Sequence, residues 1–256
     1  MLDKEDPPDL YKIETATKPD TWYSNEWLTN IVLKNDQARQ KSLRHIVLNR
    51  ALILVLAKIE SIAAVALSDC KEILDEYPEA ESGFYEIELW QSRKILIVNC
   101  DMDTDGGGWT IFHRRFDGSV KFYRNFTEYE NGFGNTGGEL WLGLKYIQEL
   151  ADQSHSEVRV DIENYNNDTA YETFQEFKLI DGRNYKLNIG LRDLSTDKLG
   201  GLAHNNLLPF TTYDRDLDTA WSRNCAVDRH GGWWYGSCTS INLNGLYVSP
   251  DSPDTP

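Results

Sequence analysis

The hydrophobic pattern divides the chain into distinct textures. Residues 1–37 are polar, with prolines at 7, 8 and 19 and no sustained period, so disorder is expected there. From 38 to 68 no proline or glycine interrupts, and Leu48, Leu52, Val55, Ile59, Ile62 and Ala66 step by 4, 3, 4, 3 and 4. That spacing is a heptad seam on a helix. It runs for fewer than three heptads, so self-association as a coiled coil and docking on the chain's own domain both stay open. After Cys70 the period shortens. FYEIELW (84–90) and KILIVN (94–99) predict two strands joined at QSR. EVRVDIEN (157–164) alternates strictly, with Val158, Val160 and Ile162 on one face and charges on the other, the pattern of a half-buried strand. YETFQEFKLI and NYKLNIG predict further strands, and GLKYIQELADQ (143–153) a short helix. DTDGGG (103–108) predicts a turn, because consecutive glycines permit positive φ. The middle therefore reads as an α+β domain on an antiparallel sheet. Beyond Gly190 regular signals fade into Asn, Asp, Gly, Ser and Thr with Trp interspersed, the kind of loop-rich segment where binding residues concentrate. The closing SPDSPDTP (249–256) is expected to be a disordered tail.

Composition narrows the function classes. The 256 residues suit one compact domain plus an appendage, and 40% hydrophobic residues are enough for a sizeable core. A net charge of -15 argues against a nucleic-acid groove, which needs clustered Lys and Arg against phosphates. The longest apolar run, ALILVLA (51–57), is far short of the about 20 residues that span a bilayer. It follows Lys41, Arg44 and Arg50 as a signal core would, but it stands away from the polar start MLDKEDPPDL, where no signal peptide is visible.

Four cysteines, Cys70, Cys100, Cys225 and Cys238, form no CxxC and have no His at zinc-finger spacing. They allow three pairings. The local one, Cys70 with Cys100 and Cys225 with Cys238, closes the shortest loops. Each sits in a polar, loop-like context, which favours disulfides over free thiols.

The densest candidate chemistry is DRDLDTAWSRNC (214–225). Alternating aspartates can curl around calcium, which takes six to eight oxygens. An EF-hand does not fit: counting Asp214 as the first position, Thr219 stands where Gly is required and Cys225 where Glu is. No HExxH, GxSxG or phosphate loop occurs, the five histidines are scattered, and no carboxylate pair is marked for glycoside hydrolysis, so no enzyme is expected.

NCDMDTDGGGWTIFHRRFDGSVKFYRNFTEYENGFG (99–134), GELWLGLKYI (138–147), NDTAY (167–171), TTYDRDLDTAWSRNCA (211–226) and GGWWYGSCTSINLNGLYV (231–248) together resemble the fibrinogen C-terminal domain family, in family order. Its members include lectins, such as ficolins and tachylectin-like proteins, and protein-binding members, such as angiopoietins and tenascins. The resemblance covers 69–248 and implies three subdomains. The first is closed by Cys70–Cys100, the second is mainly antiparallel sheet, and the third is braced by Cys225–Cys238 and holds calcium and ligand. It implies calcium on the carboxylates of Asp216 and Asp218 and on two downstream carbonyls. Counted back from the cysteine these are Trp221 and Arg223; counted forward from Asp218 they are Ala220 and Ser222. The first pair is preferred, because an aromatic commonly holds the first slot.

The sequence also departs from the family pattern. Seven steps separate Asp218 from Cys225, one more than usual, and Leu217 replaces a common Asn. Arg223 stands where Gly is frequent, which predicts a strained backbone there. In lectin members an acetyl group sits in an aromatic pocket beside the second disulfide, next to a cis peptide, here Ser237–Cys238. The pocket positions correspond to Asp228, Arg229, Ser237, Cys238 and Thr239, with Ser237 and Thr239 standing where a basic residue or Asn and a His are common. Trp233 and Trp234 are expected to pack rather than to present ligand platforms. The family domain runs on past NLNGLYV, where this chain has SPDSPDTP, so part of the pocket rim and one strand of the sheet are expected to be missing. The implied function is a secreted, extracellular module of innate defence that binds acetylated carbohydrates or microbial surface glycans with calcium. The alternative is a protein-interaction module without a working sugar pocket. NFT and NDT make Asn125 and Asn167 candidate glycosylation sites.

Overall fold

The computed structural model describes residues 28–36, 66–191 and 201–247. The rest of the expected disordered region, nearly all of the expected helix 38–68 and the tail 249–256 lie outside the described residues. Residues 66–68, the end of that expected helix, are described and are not helical.

The chain order is β1 (Leu28–Asp36), α1 (Cys70–Glu76), β2 (Gly83–Glu88), β3 (Ile95–Asp101), β4 (Trp109–Arg115), α2 (Phe126–Asn131), β5 (Phe133–Gly134) and β6 (Leu140–Trp141). Then come α3 (Leu144–Asp152), β7 (His155–Glu163), β8 (Thr169–Phe174), β9 (Phe177–Ile180), β10 (Lys186–Ile189), β11 (Phe210–Thr211), α4 (Cys225–Asp228) and β12 (Trp233–Trp234). The main sheet runs β2-β3-β4-β1-β7-β8, with β6 beside β4 and β5 beside β6. Two short antiparallel ladders, β9–β10 and β11–β12, complete the α+β architecture.

The centre of the sheet corrects the sequence reading. Disorder was expected through residue 37. Instead Leu28–Asp36 is a nine-residue strand, antiparallel to both β4 and β7. Ile31, Val32 and Leu33 are buried on it. Three consecutive apolar residues among polar ones are too short a run to announce a strand, yet they suit one covered on both faces.

The core lies under this strand. Ile31 and Leu33 join Val158, Val160 and Ile162 of β7, and α3 adds Leu144, Ile147, Leu150 and Ala151. The alternation of β7 is therefore the core-facing pattern that the sequence predicted. The expected single strand YETFQEFKLI breaks at Gln175–Glu176 into β8 and β9. β9 leaves the main sheet to pair with β10, so Phe177 and Leu179 enter the core from a different direction.

Capping sets the start of α1. Asp69 accepts from the Glu72 amide at 2.8 Å, and Glu72 reaches back to the Ser68 amide at 2.8 Å, a reciprocal cap. This fixes Cys70, which is disulfide-bonded to Cys100 on β3.

The segment 242–247 is fastened to β4 by buried polar groups. His113 Nε2 pairs with Asn244 Oδ1 at 2.9 Å, and Arg115 donates to the carbonyls of Leu243 and Gly245 at 3.2 and 3.1 Å. Glu139 faces Arg115 at 3.4 Å and also accepts the amides of Phe116, Gly118 and Val120. The NLNG stretch is thus a plug: the Asn244 side chain and two backbone carbonyls bind β4, and Asn244 Nδ2 donates to Gly232 O at 2.8 Å on the loop side.

Candidate functional site

The β11–β12 ladder frames the aspartate loop. Phe210 pairs with Trp234 and Thr211 with Trp233, so the chain entering the aspartates is tied to the chain leading to Cys238. Thr212 and Arg215 then bridge each other and reverse the chain. Asp214 points back at α2: its Oδ1 accepts from the Phe126 amide at 2.9 Å and from the Thr212 hydroxyl at 2.7 Å. A carboxylate at a helix start is favourable, which gives Asp214 a structural task.

Asp218 organises the loop. Its Oδ1 accepts from the Ala220 amide and its Oδ2 from the Cys225 amide, both at 2.7 Å. Asp216 accepts from the Asp218 amide at 3.3 Å. Partial burial, and then the Asp218 charge, push the Asp216 carboxyl above the usual carboxylate range. Ionising two neighbouring acids is costly, and a cation between them reverses that cost.

Among the described residues no group of three or more His, Cys, Asp and Glu is gathered for a metal, so a cation here needs backbone oxygens. The two carbonyl options differ. Ala220 O already accepts the Arg223 amide at 3.2 Å, whereas no described backbone hydrogen bond ends on Trp221 O or Arg223 O. Two carboxylates, those two carbonyls and water fit the oxygen preference of calcium. Arg223 does not lie in the left-handed region, so the strain expected there is not found.

The second disulfide joins this loop to the residues expected to form the ligand pocket. Cys225 and Cys238 are bonded, with Cα atoms 5.4 Å apart, and the Ser237–Cys238 peptide is cis. The Thr219 amide donates to Gly236 O at 3.2 Å, and the Gly236 amide to Cys238 O at 2.7 Å. Hydrogen bonds and the disulfide therefore link Asp216, Asp218, Cys225 and Cys238 into one unit, with Ser237 next to Cys238 in the chain. Ser237 is exposed. Thr239 is engaged elsewhere: its hydroxyl accepts from Asn205 Nδ2 at 2.8 Å and donates to Ile241 O at 2.9 Å. Asp228, at the end of α4, sits 3.5 Å from Arg223, and Arg229 is exposed beside it. Trp233 and Trp234 are buried, and Trp234 Nε1 donates to Tyr185 O at 2.7 Å, so both pack.

Two features escaped the sequence reading. Asn224 caps α4, accepting from Ala226 and Val227, and also donates to Thr212 O at 3.0 Å, which closes the loop. Its place just before Cys225, at a helix start, is the signal that could have marked it. Tyr123 gathers Tyr213 at 4.9 Å and His230 at 5.6 Å into an exposed aromatic group flanking the loop. These residues are far apart in sequence, so no local signal joins them.

Of the candidate glycosylation sites, Asn167 is exposed in a turn, whereas Asn125 is the half-buried cap of α2. No helix among the described residues is long and apolar enough to cross a membrane.

A family model described as "Fibrinogen beta and gamma chains, C-terminal globular domain" matches residues 66–255. The chain belongs to the fibrinogen C-terminal domain family. Human Ficolin-3 is 42% identical over 182 residues, covering 70% of this chain and 59% of that protein. Mouse Fibrinogen-like protein 1 is 40% identical over 193 residues, covering 70% and 60%. The chain thus spans about 60% of the length of these curated relatives. The fibrinogen-like globe domain of human ANGPTL2 aligns with a TM-score of 0.68 at 35% identity, over 72% of this chain and 84% of that domain. That of human ANGPTL6 aligns with a TM-score of 0.66 at 36% identity, over 70% and 79%. The fold is a fibrinogen-like globe, and both disulfides implied by the fibrinogen-type motifs are formed.

Proposed function

We propose that this chain is a secreted, extracellular recognition module that binds acetylated carbohydrates, such as those of microbial surfaces, with the help of calcium. The carrying observation is the Asp218–Cys225 hydrogen bond at 2.7 Å. It couples the aspartate pair to the disulfide that bears Ser237 and Cys238, so charge in the loop and shape in the pocket are linked. Asp216 and Asp218, with the carbonyls of Trp221 and Arg223, would hold calcium. Bound there, calcium offsets the like charge of the two acids. Asp228 and Arg229 wall the ligand side, and Ser237 and the Cys238 amide face the acetyl group. Asn167 is the better-exposed glycan acceptor of the two sequons. Binding of the full chain to acetylated glycans, with calcium and with chelator, tests the reading. Loss of binding in chelator supports it, and no binding in calcium overturns it.

A second reading, a protein-interaction module, is favoured by one observation. The Thr239 hydroxyl is taken up by Asn205 and Ile241 and is not offered to a sugar. A protein ligand whose capture is unaffected by free N-acetylated sugars would favour this reading over the first.

A further inference from the structure

One face of the main sheet carries a polar row remote in sequence from the aspartate loop and the second disulfide. Arg114 of β4 lies opposite Asn30 of β1, Asn30 opposite Asp161 of β7, and Asp161 opposite Tyr171 of β8. Directly opposed residues of an antiparallel ladder share a face, so these four stand in line across four strands. Ile31, Leu33, Val158 and Val160 are buried on the other face. A cavity of about 420 Å³ opens over the row, a volume in the range of small-molecule sites.

Part of the row satisfies itself. Arg159 Nε lies 2.9 and 3.0 Å from the two Asp161 oxygens, and its guanidinium sits 3.9 Å from the Tyr171 ring centroid. Two groups are left over. The half-buried Arg114 guanidinium rests 5.0 Å from the Phe116 ring and has no ion pair among the described residues. Asn30 Oδ1 is buried and accepts no hydrogen bond.

A buried acceptor without a donor is costly, and an unpaired guanidinium offers a planar fork that matches a carboxylate. One ligand answers both if it presents a carboxylate next to a hydroxyl. We infer that this cavity binds a hydroxylated carboxylate of the sugar-acid class. The carboxylate takes Arg114, a hydroxyl donates to Asn30 Oδ1, and Glu163 on the cavity wall accepts a further hydroxyl. Because Asn30 belongs to β1, the site exists only while that strand holds the centre of the sheet. It is separate from the calcium and acetyl-group reading and does not depend on it.

The test is calorimetric titration of the full chain with D-glucuronate, with neutral methyl glucoside as the control. Saturable binding of glucuronate alone is expected, unchanged by N-acetylglucosamine or by chelator. Arg114→Gln and Asn30→Ala should each weaken it about tenfold, the scale of one lost charged or buried hydrogen bond, with thermal melts confirming that both variants are folded. Absence of saturable glucuronate binding, equal binding of methyl glucoside, or unchanged affinity in folded Arg114→Gln overturns the assignment. Competition by N-acetylglucosamine would also overturn it, by moving the binding to the other site.

Discussion

Asn35 and Asp69 meet side chain to side chain. Asn35 Nδ2 donates to Asp69 Oδ2 at 2.9 Å, which joins the end of β1 to the cap of α1. Asn35 also donates to Leu150 O at 3.3 Å and accepts the Ser156 hydroxyl at 2.7 Å. One buried amide therefore pins the central strand to the first disulfide subdomain, to α3 and to β7.

The first prediction concerns that strand. Leu33→Ala should cost about 2–5 kcal/mol, as a large-to-small change in a core does. Asn35→Leu should cost about 1–3 kcal/mol by leaving Ser156 and Asp69 short of a partner. Denaturant unfolding measures both. Costs under about 0.5 kcal/mol, the range of ordinary surface substitutions, would mean that β1 is dispensable to the sheet.

The second concerns the plug on β4. Arg115 and Glu139 are 4% and 0% exposed, so Arg115 cannot turn to water if its partner is lost. Glu139→Gln should cost about 3–5 kcal/mol, the usual cost of breaking a buried pair. It should also loosen residues 116–120, whose amides Glu139 holds. Denaturant unfolding gives the first and amide hydrogen exchange the second.

The third concerns calcium. Mass action predicts about 2.7 kcal/mol of added stability at a calcium concentration 100 times the dissociation constant. Asp216→Asn should abolish that gain without lowering the melt in chelator, because the ionised Asp216 carboxylate is itself disfavoured in the folded loop. In chelator, the Asp216 contribution is fully present at low pH and is lost as pH rises through its raised folded value. A calcium-dependent shift that survives in Asp216→Asn would place the ion elsewhere.

The fourth concerns acid. Burial, and then the Arg115 charge, lower His113 from 6.5 to about 3. The folded state therefore keeps His113 neutral while the unfolded chain takes up a proton. This contribution is fully present above about pH 6.5 and is lost as pH falls from there toward about 3. Unfolding measured at pH 7, 5 and 4 should show the loss, and His113→Gln, which can still donate to Asn244, should flatten it. An acid limb unchanged in His113→Gln would assign the effect to the carboxylates.

Much of the fold was legible because its signals are local. The alternation of Val158, Val160 and Ile162 marked the core face of β7, and the resemblance to the fibrinogen C-terminal domain family implied both disulfides. The aspartate loop could be separated from an EF-hand by counting positions, since Thr219 and Cys225 stand where a glycine and a glutamate are needed. What sequence could not supply were relations between distant residues. The run Ile31–Leu33 becomes the centre of a sheet only because β4 and β7, far along the chain, offer hydrogen bonds on both sides.

The same contrast divides the candidate site. Sequence alone determined which residue types stand in the loop: three aspartates, a cysteine and the residues around its partner. Tertiary structure decided what each does. Asp214 was drawn to the start of α2, the Thr239 hydroxyl to Asn205, and Asp218 to the Cys225 amide. A carboxylate or hydroxyl takes whichever donor the fold brings within about 3 Å, and that donor is set by packing rather than by neighbours in the chain.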